Sequence, residues 1–451
     1  MESIKRIFRA YDIRGIYGED LTDDVALDVG RAFGTYIGSG SRLVVGRDVR
    51  LSGESLQKAL MEGLMSTGCN VTDIGMVPTP TLYFAIIHYS EDGGVMVTAS
   101  HNPPEWNGFK LCREGGFPIA EGMGMEDVKR IFFSKQFISA SPGELKRYGE
   151  ALNDYADFIM ERVNIQKRLK VAVDLGNGVC SLIVPRLFKS AGVDVVAIND
   201  EPDGRFPAHK PEPTGETLKE LMGVVRKERA DLGIGYDGDG DRALFLDDRG
   251  RVIPTDITLT LLAEHYLKMG GGAVIYDILS STLVEEKIRE LGGKPIVSRV
   301  GRAYILDAMK REGAVLGGET SGHLYFAEIY GFDDAVYAGL KMAEVLSKMD
   351  LKLSEFVDST PKYPSTPVKS YQCPDELKFR VVEEITRDFR EMGYDIITID
   401  GVKVIDDDGW FLIRASNTLP QIKMKAEAKT EEKLRRLVDL AEKKIREKME
   451  G

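Results

Sequence analysis

A pattern that recurs along the chain is the strongest constraint on its fold. It runs strand, polar loop, helix, glycine, strand, and its copies span residues 42–75, 169–198 and 271–301. The first strand of each copy is a continuous apolar run, which is typical of parallel strands covered by helices on both faces. Each predicted helix ends near a glycine that can adopt a left-handed C-cap, namely Gly68, Gly192 or Gly292. The pattern predicts three similar α/β domains with right-handed crossovers.

The last part of the chain has a different order of elements. Residues 364–374 are rich in proline and predict a linker. A helical pattern at 375–393, a hairpin-like stretch, a strand at 421–428 and a charged final helix follow. This order predicts a smaller α+β domain. A chain of 451 residues is too long for one core, and we expect domains at residues 1–149, 150–251, 252–365 and 366–451.

Charge and hydropathy limit the classes of partner. The formal net charge of −12 disfavours bulk nucleic-acid binding, although local arginines and lysines can still hold a phosphate. No apolar run approaches the roughly 20 residues that cross a bilayer, and the first residues do not resemble a signal peptide. We therefore expect a cytoplasmic protein. The cysteines are widely spaced without a C-x-x-C motif, which predicts buried thiols at Cys69, Cys112, Cys180 and Cys373.

A serine follows the apolar run Gly93–Val97 in the stretch TASHNPPEWNGFK, residues 98–110. Two prolines prevent the strand from continuing, so Ser100 and His101 are predicted on a rigid turn. The G-x-S-x-G elbow of serine hydrolases is absent. We expect His101 only to orient the loop, because a direct neighbour in sequence is a poor partner for the serine hydroxyl. A proline-stiffened surface loop without chemistry is the alternative.

Three carboxylates alternate with glycines between two apolar runs, at Asp237, Asp239 and Asp241. At about 5 Å and an effective dielectric of about 20, each ionised pair costs roughly 3 kcal/mol, so a cation would hold them together. Oxygen ligands favour Mg²⁺ or Ca²⁺. An EF-hand loop needs glycine at the sixth position, where Arg242 stands, so Mg²⁺ is favoured. An acidic β-turn remains the alternative.

Two more polar loops carry weaker signals. In residues 315–326, Glu319, Ser321 and His323 lie among glycines and suit recognition of sugar or alcohol hydroxyls, although a glycine-rich turn explains them equally well. A turn near the end of the chain has the composition of a phosphate cradle, with Arg414, Ser416, Asn417 and Thr418. No Walker loop occurs, so ATP is not the expected donor.

Six motifs, in order along the whole chain, resemble the signatures of the α-D-phosphohexomutases, the family of phosphoglucomutase, phosphomannomutase and phosphoglucosamine mutase. They are FRAYDIRG (8–15), TASHNPPEWNGFK (98–110), FPAHKPEPT (206–214), DGDGDR (237–242), GETSGH (318–323) and RASNT (414–418). The resemblance implies a heart-shaped protein around a central cleft. It would have three similar mixed-sheet α/β domains and a smaller C-terminal α+β domain.

The resemblance also implies a role for each polar loop. Ser100 would carry the phosphoryl group and, with three aspartates, would bind Mg²⁺: Asp237, Asp239 and Asp241. Four residues would surround the reacting phosphate and carry protons: Arg14, Lys110, Arg242 and His323. Glu319 and Ser321 would hold sugar hydroxyls, with Arg302 near the substrate where relatives often have histidine or lysine. The other phosphate would contact Arg414, Ser416, Asn417 and Thr418.

The implied activity is the interconversion of hexose 1-phosphates and 6-phosphates through a phosphoserine and a bisphosphate. The R-x-S-N-T form of the last motif is more like proteins that act on mannose and glucose phosphates. Glucosamine phosphates are the second expectation for the substrate, and a phosphatase that discharges the phosphoserine to water is the third. The implied cofactors are Mg²⁺ and a hexose 1,6-bisphosphate. The expected partner is a phosphosugar, with no nucleic acid or membrane, and the sequence leaves a homodimer open.

Overall fold

The structure is a computed structural model that describes residues 4, 6–416 and 419–450. The chain divides into two compact units. The first contains the residues up to Thr258 together with Ser321–Asp358, and the second contains Leu259–Thr320 together with the residues from Ser359 onward.

The helices and strands alternate along most of the chain. The strands of the described residues are β1 (Ile13–Ile16), β2 (Arg42–Arg47), β3 (Asn70–Met76), β4 (Gly93–Val97), β5 (Trp106–Arg113), β6 (Leu145–Arg147), β7 (Lys170–Asp174), β8 (Asp194–Ile198), β9 (Leu232–Tyr236), β10 (Ala243–Leu246), β11 (Ala273–Asp277), β12 (Lys294–Ser298), β13 (Leu316–Gly318), β14 (Leu324–Phe326), β15 (Lys369–Gln372), β16 (Asp395–Ile397), β17 (Val402–Asp406), β18 (Gly409–Ala415) and β19 (Gln421–Ala428). The α-helices are α1 (Asp23–Ile37), α2 (Gly53–Ser66), α3 (Thr79–His88), α4 (Met125–Ser134), α5 (Ala151–Met160), α6 (Val184–Ser190), α7 (Lys219–Glu228), α8 (Thr255–Gly270), α9 (Thr282–Glu290), α10 (Arg302–Glu312), α11 (Ala335–Lys348), α12 (Leu353–Ser359), α13 (Asp375–Glu391) and α14 (Glu431–Glu450).

The first unit contains two mixed sheets. One has the strand order β1-β5-β4-β2-β3-β6, in which β4, β2, β3 and β6 are parallel and β5 is antiparallel to both of its neighbours. The other has the order β10-β9-β7-β8, with β9, β7 and β8 parallel and β10 antiparallel. Strands β4 and β9 are buried along their whole length, as continuous apolar strands in such sheets should be. The polar residues that follow these two strands are therefore placed by a rigid scaffold.

The second unit repeats the plan once and then changes it. Strands β12, β11 and β13 are parallel neighbours, and α9 connects β11 to β12. Strands β15-β19-β18-β17-β16 form an antiparallel sheet against which α13 and α14 pack. The predicted fold class, three mixed α/β domains and an antiparallel α+β domain, is confirmed. The domain boundaries stay a prediction.

One prediction about this part of the chain is wrong. Residues 364–374 were expected to be a linker, but Lys369–Gln372 forms strand β15 and pairs with β19. The strand lies at the edge of its sheet, where nearby prolines remove no ladder hydrogen bond. The proline content of these residues therefore led to the prediction of a linker where a short edge strand forms.

Several local predictions are confirmed. The glycines after α2, α6 and α9 all have positive φ: +85° at Gly68, +76° at Gly192 and +74° at Gly292. All four cysteines are buried thiols that form no disulfide. None of the described helices combines the length and the apolar character that a transmembrane span needs.

Candidate active site

Ser100 lies just beyond the end of strand β4, on the turn that the sequence predicts. Its φ is +50°, a left-handed conformation that serine rarely adopts. It is buried, its backbone N–H donates to Thr98 Oγ1 over 2.8 Å, and its hydroxyl donates to Asp237 Oδ2 over 2.8 Å. Hydrogen bonds therefore fix both the backbone and the hydroxyl oxygen of this residue.

His101 lies closer to the serine hydroxyl than the sequence argument allows. Its Nδ1 is 3.3 Å from Ser100 Oγ. The expectation that sequence neighbours make poor partners is wrong here, since with Ser100 in the left-handed conformation the two polar atoms lie within hydrogen-bond distance. Burial, with the nearby guanidinium groups of Arg242 and Arg14, lowers the pKa of His101 to about 3. The imidazole is therefore neutral and can accept or donate a hydrogen bond at this turn.

The three aspartates follow strand β9 in a tight loop that leads into β10. Asp237 Oδ1 accepts hydrogen bonds from the backbone N–H of Gly240 at 2.8 Å and of Asp241 at 3.2 Å. A side chain at Gly238 would place its Cβ 2.6 Å from the carbonyl oxygen of Ser100. Glycine is thus required at this position, because the acidic loop packs directly on the serine loop.

Lys110 joins the serine loop to the acidic loop. Its Nζ donates to Asp239 Oδ2 over 2.7 Å and also to Asp241 Oδ2. Burial by itself would lower the pKa of Lys110, but the two carboxylates outweigh burial and raise this pKa well above its usual value. Lys110 is therefore a fixed positive charge next to Ser100 in this arrangement.

The acidic loop is suited to a hard metal ion. The carboxylates of Asp237, Asp239 and Asp241 are all buried, and one oxygen of each lies within 4.8 Å of the others. Two of their oxygens, Asp239 Oδ1 and Asp241 Oδ1, are buried without a hydrogen-bond partner among the described residues. Burial and the neighbouring carboxylates of Asp241 and Asp239 raise the pKa of Asp237 well above its usual value, which a bound cation would reverse. Oxygen-only donors favour a cation such as Mg²⁺ over softer metals, so the cluster can bind a metal.

Arg14 borders the serine loop from strand β1. Its Nη1 donates to Ala99 O at 3.1 Å and to Asn102 Oδ1 at 2.6 Å, while its Nε donates to Asp12 Oδ2 at 2.7 Å. The guanidinium therefore contacts residues on both sides of Ser100 along the chain.

His323 and Arg242 meet beside the acidic loop. Arg242 Nε lies 3.2 Å from His323 Nε2, and His323 Nδ1 lies 2.8 Å from Ser321 Oγ. His323 Nε2 also lies 3.4 Å from Asp241 Oδ1 and 3.9 Å from Asp333 Oδ2. The structure thus brings the predicted residues of the first unit together: Ser100, Arg14, Lys110, Asp237, Asp239, Asp241, Arg242, Ser321 and His323.

The remaining predicted residues belong to the second unit. The buried Glu319 accepts a hydrogen bond from the backbone N–H of Gly301 over 2.7 Å, directly before Arg302 begins α10. Glu319 and Arg302 are therefore neighbours.

The turn that the sequence predicts to bind phosphate lies at the end of strand β18, in the second unit. Arg414 Nη1 lies 2.8 Å from Asp400 Oδ2, and Ser416 Oγ accepts from the backbone N–H of Leu419 over 3.2 Å. Asn417 and Thr418 lie outside the described residues.

Two residues that support the serine loop were not predicted from the sequence. Asp48 and Arg50 follow strand β2, and both are buried, with Arg50 1% exposed. Thr98 Oγ1 lies 2.7 Å from Asp48 Oδ2 and 3.1 Å from Asp239 Oδ2, so it joins this pair to the acidic loop. The sequence could have indicated these residues, because the polar loops that follow neighbouring parallel strands such as β2 and β4 meet at the same edge of the sheet.

Comparisons with known proteins agree with this geometry. The models of phosphoglucomutase/phosphomannomutase α/β/α domains I, II and III and of the C-terminal domain match residues 5–139, 148–250, 254–363 and 372–444. The chain is similar to a phosphoglucomutase/phosphomannomutase of Thermococcus kodakarensis, with 38% identity over 99% of this chain and 100% of the relative. It is 37% identical to a probable phosphoglucosamine mutase of Methanopyrus kandleri over 96% of each chain.

A solved structure shares the fold. The crystal structure of a phosphoglucomutase/phosphomannomutase family protein from Burkholderia thailandensis aligns with a TM-score of 0.92 and 34% identity, over 98% of each chain. With four successive domain models matched and relatives aligned along nearly the whole length, the chain belongs to the phosphoglucomutase/phosphomannomutase family.

Proposed function

We propose that the protein is a phosphohexomutase that interconverts the 1-phosphates and 6-phosphates of glucose, mannose or both. The hydrogen bond from Ser100 Oγ to Asp237, in the acidic loop that Lys110 also contacts, carries this proposal. A buried serine bonded to a carboxylate, in a site with four basic side chains, suits reversible phosphoryl transfer, which depends on charge stabilisation and positioning.

The reaction starts from a phosphoryl group on Ser100 Oγ. The free hydroxyl of a hexose 1-phosphate attacks phosphorus, a sugar O–P bond forms, and the Ser100 Oγ–P bond breaks. The hydroxyl proton passes to a basic side chain, and the serine oxygen takes up a proton. The resulting hexose 1,6-bisphosphate turns round and returns its other phosphoryl group to Ser100, so enzyme and phosphate content are both restored.

The basic residues would have two roles, stabilising phosphoryl charge and transferring a proton. Arg14 and Arg242 are always protonated and can only donate to phosphoryl oxygens, so they stabilise transferred charge. Lys110, held positive by two carboxylates, serves the same purpose while they remain ionised. His323 is the side chain in this group whose imidazole can both accept and release a proton. We therefore assign proton transfer at the sugar oxygen to His323.

The acidic loop supplies a cofactor site. Asp237, Asp239 and Asp241 would hold Mg²⁺ together with an oxygen of phosphorylated Ser100, because the donor set contains oxygens only. When bound, the ion would offset the negative charge of the phosphoryl group.

The family motifs imply residues that recognise the sugar. Glu319 and Ser321 would accept hydrogen bonds from sugar hydroxyls, and Arg302 would contact the substrate. The turn at Arg414 would bind the phosphate that is not reacting, with Ser416, Asn417 and Thr418. The domain boundaries, a homodimer and a cytoplasmic location stay predictions.

A single experiment separates the candidate activities. Glucose, mannose and glucosamine 1-phosphates would each be followed by ³¹P NMR with Mg²⁺ and a catalytic amount of the matching bisphosphate. We expect the 1-phosphate signals of glucose and mannose to be replaced by 6-phosphate signals. Faster conversion of glucosamine 1-phosphate would favour the specificity of the Methanopyrus relative's named activity. Release of inorganic phosphate instead would establish a phosphatase and overturn the mutase.

A further inference from the structure

Arg50 is an enclosed cation for which the proposed reaction has no direct use. Its side chain extends from the loop after β2 to the serine loop, residues 98–110, and is fully buried. All five of its N–H groups donate hydrogen bonds, and four of the acceptors are backbone carbonyl oxygens of the serine loop. These are Ser100 O at 2.8 Å, Asn102 O at 2.6 Å, Pro103 O at 2.6 Å and Trp106 O at 2.8 Å.

The fifth donor connects Arg50 to the backbone of Ser100 by another route. Arg50 Nε donates to Asp48 Oδ2 over 3.1 Å, and the same oxygen accepts from Thr98 Oγ1 over 2.7 Å. Thr98 Oγ1 in turn accepts the backbone N–H of Ser100 over 2.8 Å. Both polar groups of the Ser100 backbone, its N–H and its carbonyl, are therefore tied to this one buried pair.

The chemistry of the side chain explains why arginine is needed. A guanidinium is planar, stays charged and presents five donors in a fixed fork, whereas a lysine ammonium has three donors at a single point. The carbonyls that Arg50 binds belong to residues 100–106, so one rigid group fixes the curvature of the whole turn. The ring of Phe206 lies 5.1 Å from the guanidinium carbon and supports it further.

We propose that Arg50 is a positioning residue for phosphoryl transfer. It holds the serine loop in the left-handed conformation that keeps Ser100 Oγ against Asp237, and it does not contact the substrate. That Arg50 holds the loop follows from its contacts alone, whereas its effect on the rate rests on the proposed function. Because a displacement of about 1 Å at a reacting group can cost about 100-fold in rate, loss of the fork should lower kcat and spare KM.

The test compares Arg50→Lys with Arg162→Lys. Arg162 also donates to backbone carbonyls, Phe158 O at 2.6 Å and Glu328 O at 3.1 Å, and lies over an aromatic ring, but it is outside the site. We expect R50K to lower kcat by about 100-fold with KM within about threefold of the wild type, while R162K keeps both constants. A wild-type kcat in R50K, or an equal fall of kcat in both variants that follows their melting temperatures, would overturn the proposal.

A second measurement does not need activity. Hydrogen exchange of peptides covering residues 98–110 should be faster in R50K than in the wild type, with the peptides around strand β7 unchanged. Asp48→Asn, which removes the carboxylate bound by Arg50 Nε, should give the same change to a smaller extent and replaces R50K if that variant does not fold. Unchanged exchange in the serine loop of both variants would overturn the structural role proposed for Arg50. If exchange is faster in R50K but the wild-type protein shows no mutase activity, the structural role of Arg50 is supported and the proposed function is overturned.

Discussion

Two aspartate–arginine pairs in this molecule use the same chemistry for different ends. In the first unit, Arg50 lies 3.1 Å from Asp48, and all its donors are taken up by that carboxylate and by backbone carbonyls. In the second unit, Arg414 Nη1 lies 2.8 Å from Asp400, but Arg414 Nε is buried without a hydrogen-bond partner among the described residues. All five N–H groups of Arg50 therefore donate to protein oxygens, whereas Arg414 has a donor that a ligand could use.

The surroundings of the two arginines differ in the same sense. Arg50 is enclosed by the loop that it binds, with a side-chain exposure of 0% against 13% for Arg414. Beside Arg414 lies a cavity of about 210 Å³ that is also lined by Lys423 and Lys425. An unpaired buried donor costs free energy unless a ligand satisfies it, and a cationic cavity attracts an anion. Arg50 therefore holds the protein's own backbone, whereas the free donor and the cavity beside Arg414 support the proposal that Arg414 binds a phosphate.

The largest effect is expected at the residue that Arg50 holds. Ser100→Ala should lower mutase activity by at least about 10⁴-fold, because the covalent phosphoryl carrier is lost. Its free energy of unfolding should change by no more than about 1 kcal/mol, since the loop is anchored through its backbone. Enzyme assays and urea titrations measure the two quantities.

Ser90→Ala is the matched control, because Ser90 also has a positive φ of +54° but is exposed and outside the site. It should keep full activity. Residual activity in Ser100→Ala within tenfold of Ser90→Ala would remove Ser100 as the carrier.

The next effect concerns the acidic loop, which shares Thr98 with the Asp48–Arg50 pair. Asp239→Asn removes one charge from the carboxylate cluster and should raise the Mg²⁺ concentration for half-maximal activity at least about tenfold. Asp154→Asn is the control, because Asp154 also accepts side-chain hydrogen bonds, from Tyr89 and Tyr148, but lies outside the cluster. Equal magnesium responses in the two variants would argue against metal binding by Asp239.

The third prediction tests the Arg414 side of the comparison. Arg414→Gln removes a charge-assisted phosphate contact of about 2 kcal/mol and should raise KM about 30-fold, with kcat within a few-fold of the wild type. Arg387→Gln, at an exposed position on α13, should leave both constants unchanged. If Arg414→Gln lowered kcat and spared KM, as expected for R50K, the distinction between the two arginines would fail.

Much of this arrangement could be predicted from the sequence because it depends on local patterns. Continuous apolar runs identified strands β4 and β9, and residue types identified Ser100 and the aspartates that follow these strands. The role of Arg50 could not be found in the same way. Its acceptors lie 50 to 56 residues further along the chain, and a D-x-R pair in a polar loop is usually solvated. Only the folded loop shows that it is buried.

The edge strand β15 was missed for a related reason. Its partner in the sheet, β19, begins about 50 residues later, and the strand itself alternates between half-buried and exposed residues among prolines. The pairing is long-range and the local composition is that of a linker, so no local pattern indicates it. The site residues Asn417 and Thr418, outside the described residues, stay predictions from their motif alone.

The smallest effect comes from a third pair, His209 with Asp174, in which the basic partner is a histidine that can titrate near neutral pH, whereas an arginine stays charged there. His209 Nε2 lies 3.2 Å from both oxygens of the buried Asp174, and its Nδ1 lies 2.7 Å from Lys210 O. The hydrogen bond with Asp174 raises the pKa of His209 despite partial burial. A raised pKa in the folded state adds stability that is complete below the unfolded value, about 6.5, and is lost as pH rises through the folded value.

We therefore expect the free energy of unfolding to fall by about 1 kcal/mol as pH rises from about 5.5 to about 9, after discounting for solvent screening. His209→Gln should flatten this slope, while His88→Gln, at a histidine stacked on Phe84, should retain it. Chemical denaturation at several pH values measures the difference. An unchanged slope in His209→Gln would show that a group other than His209 titrates in this pH range.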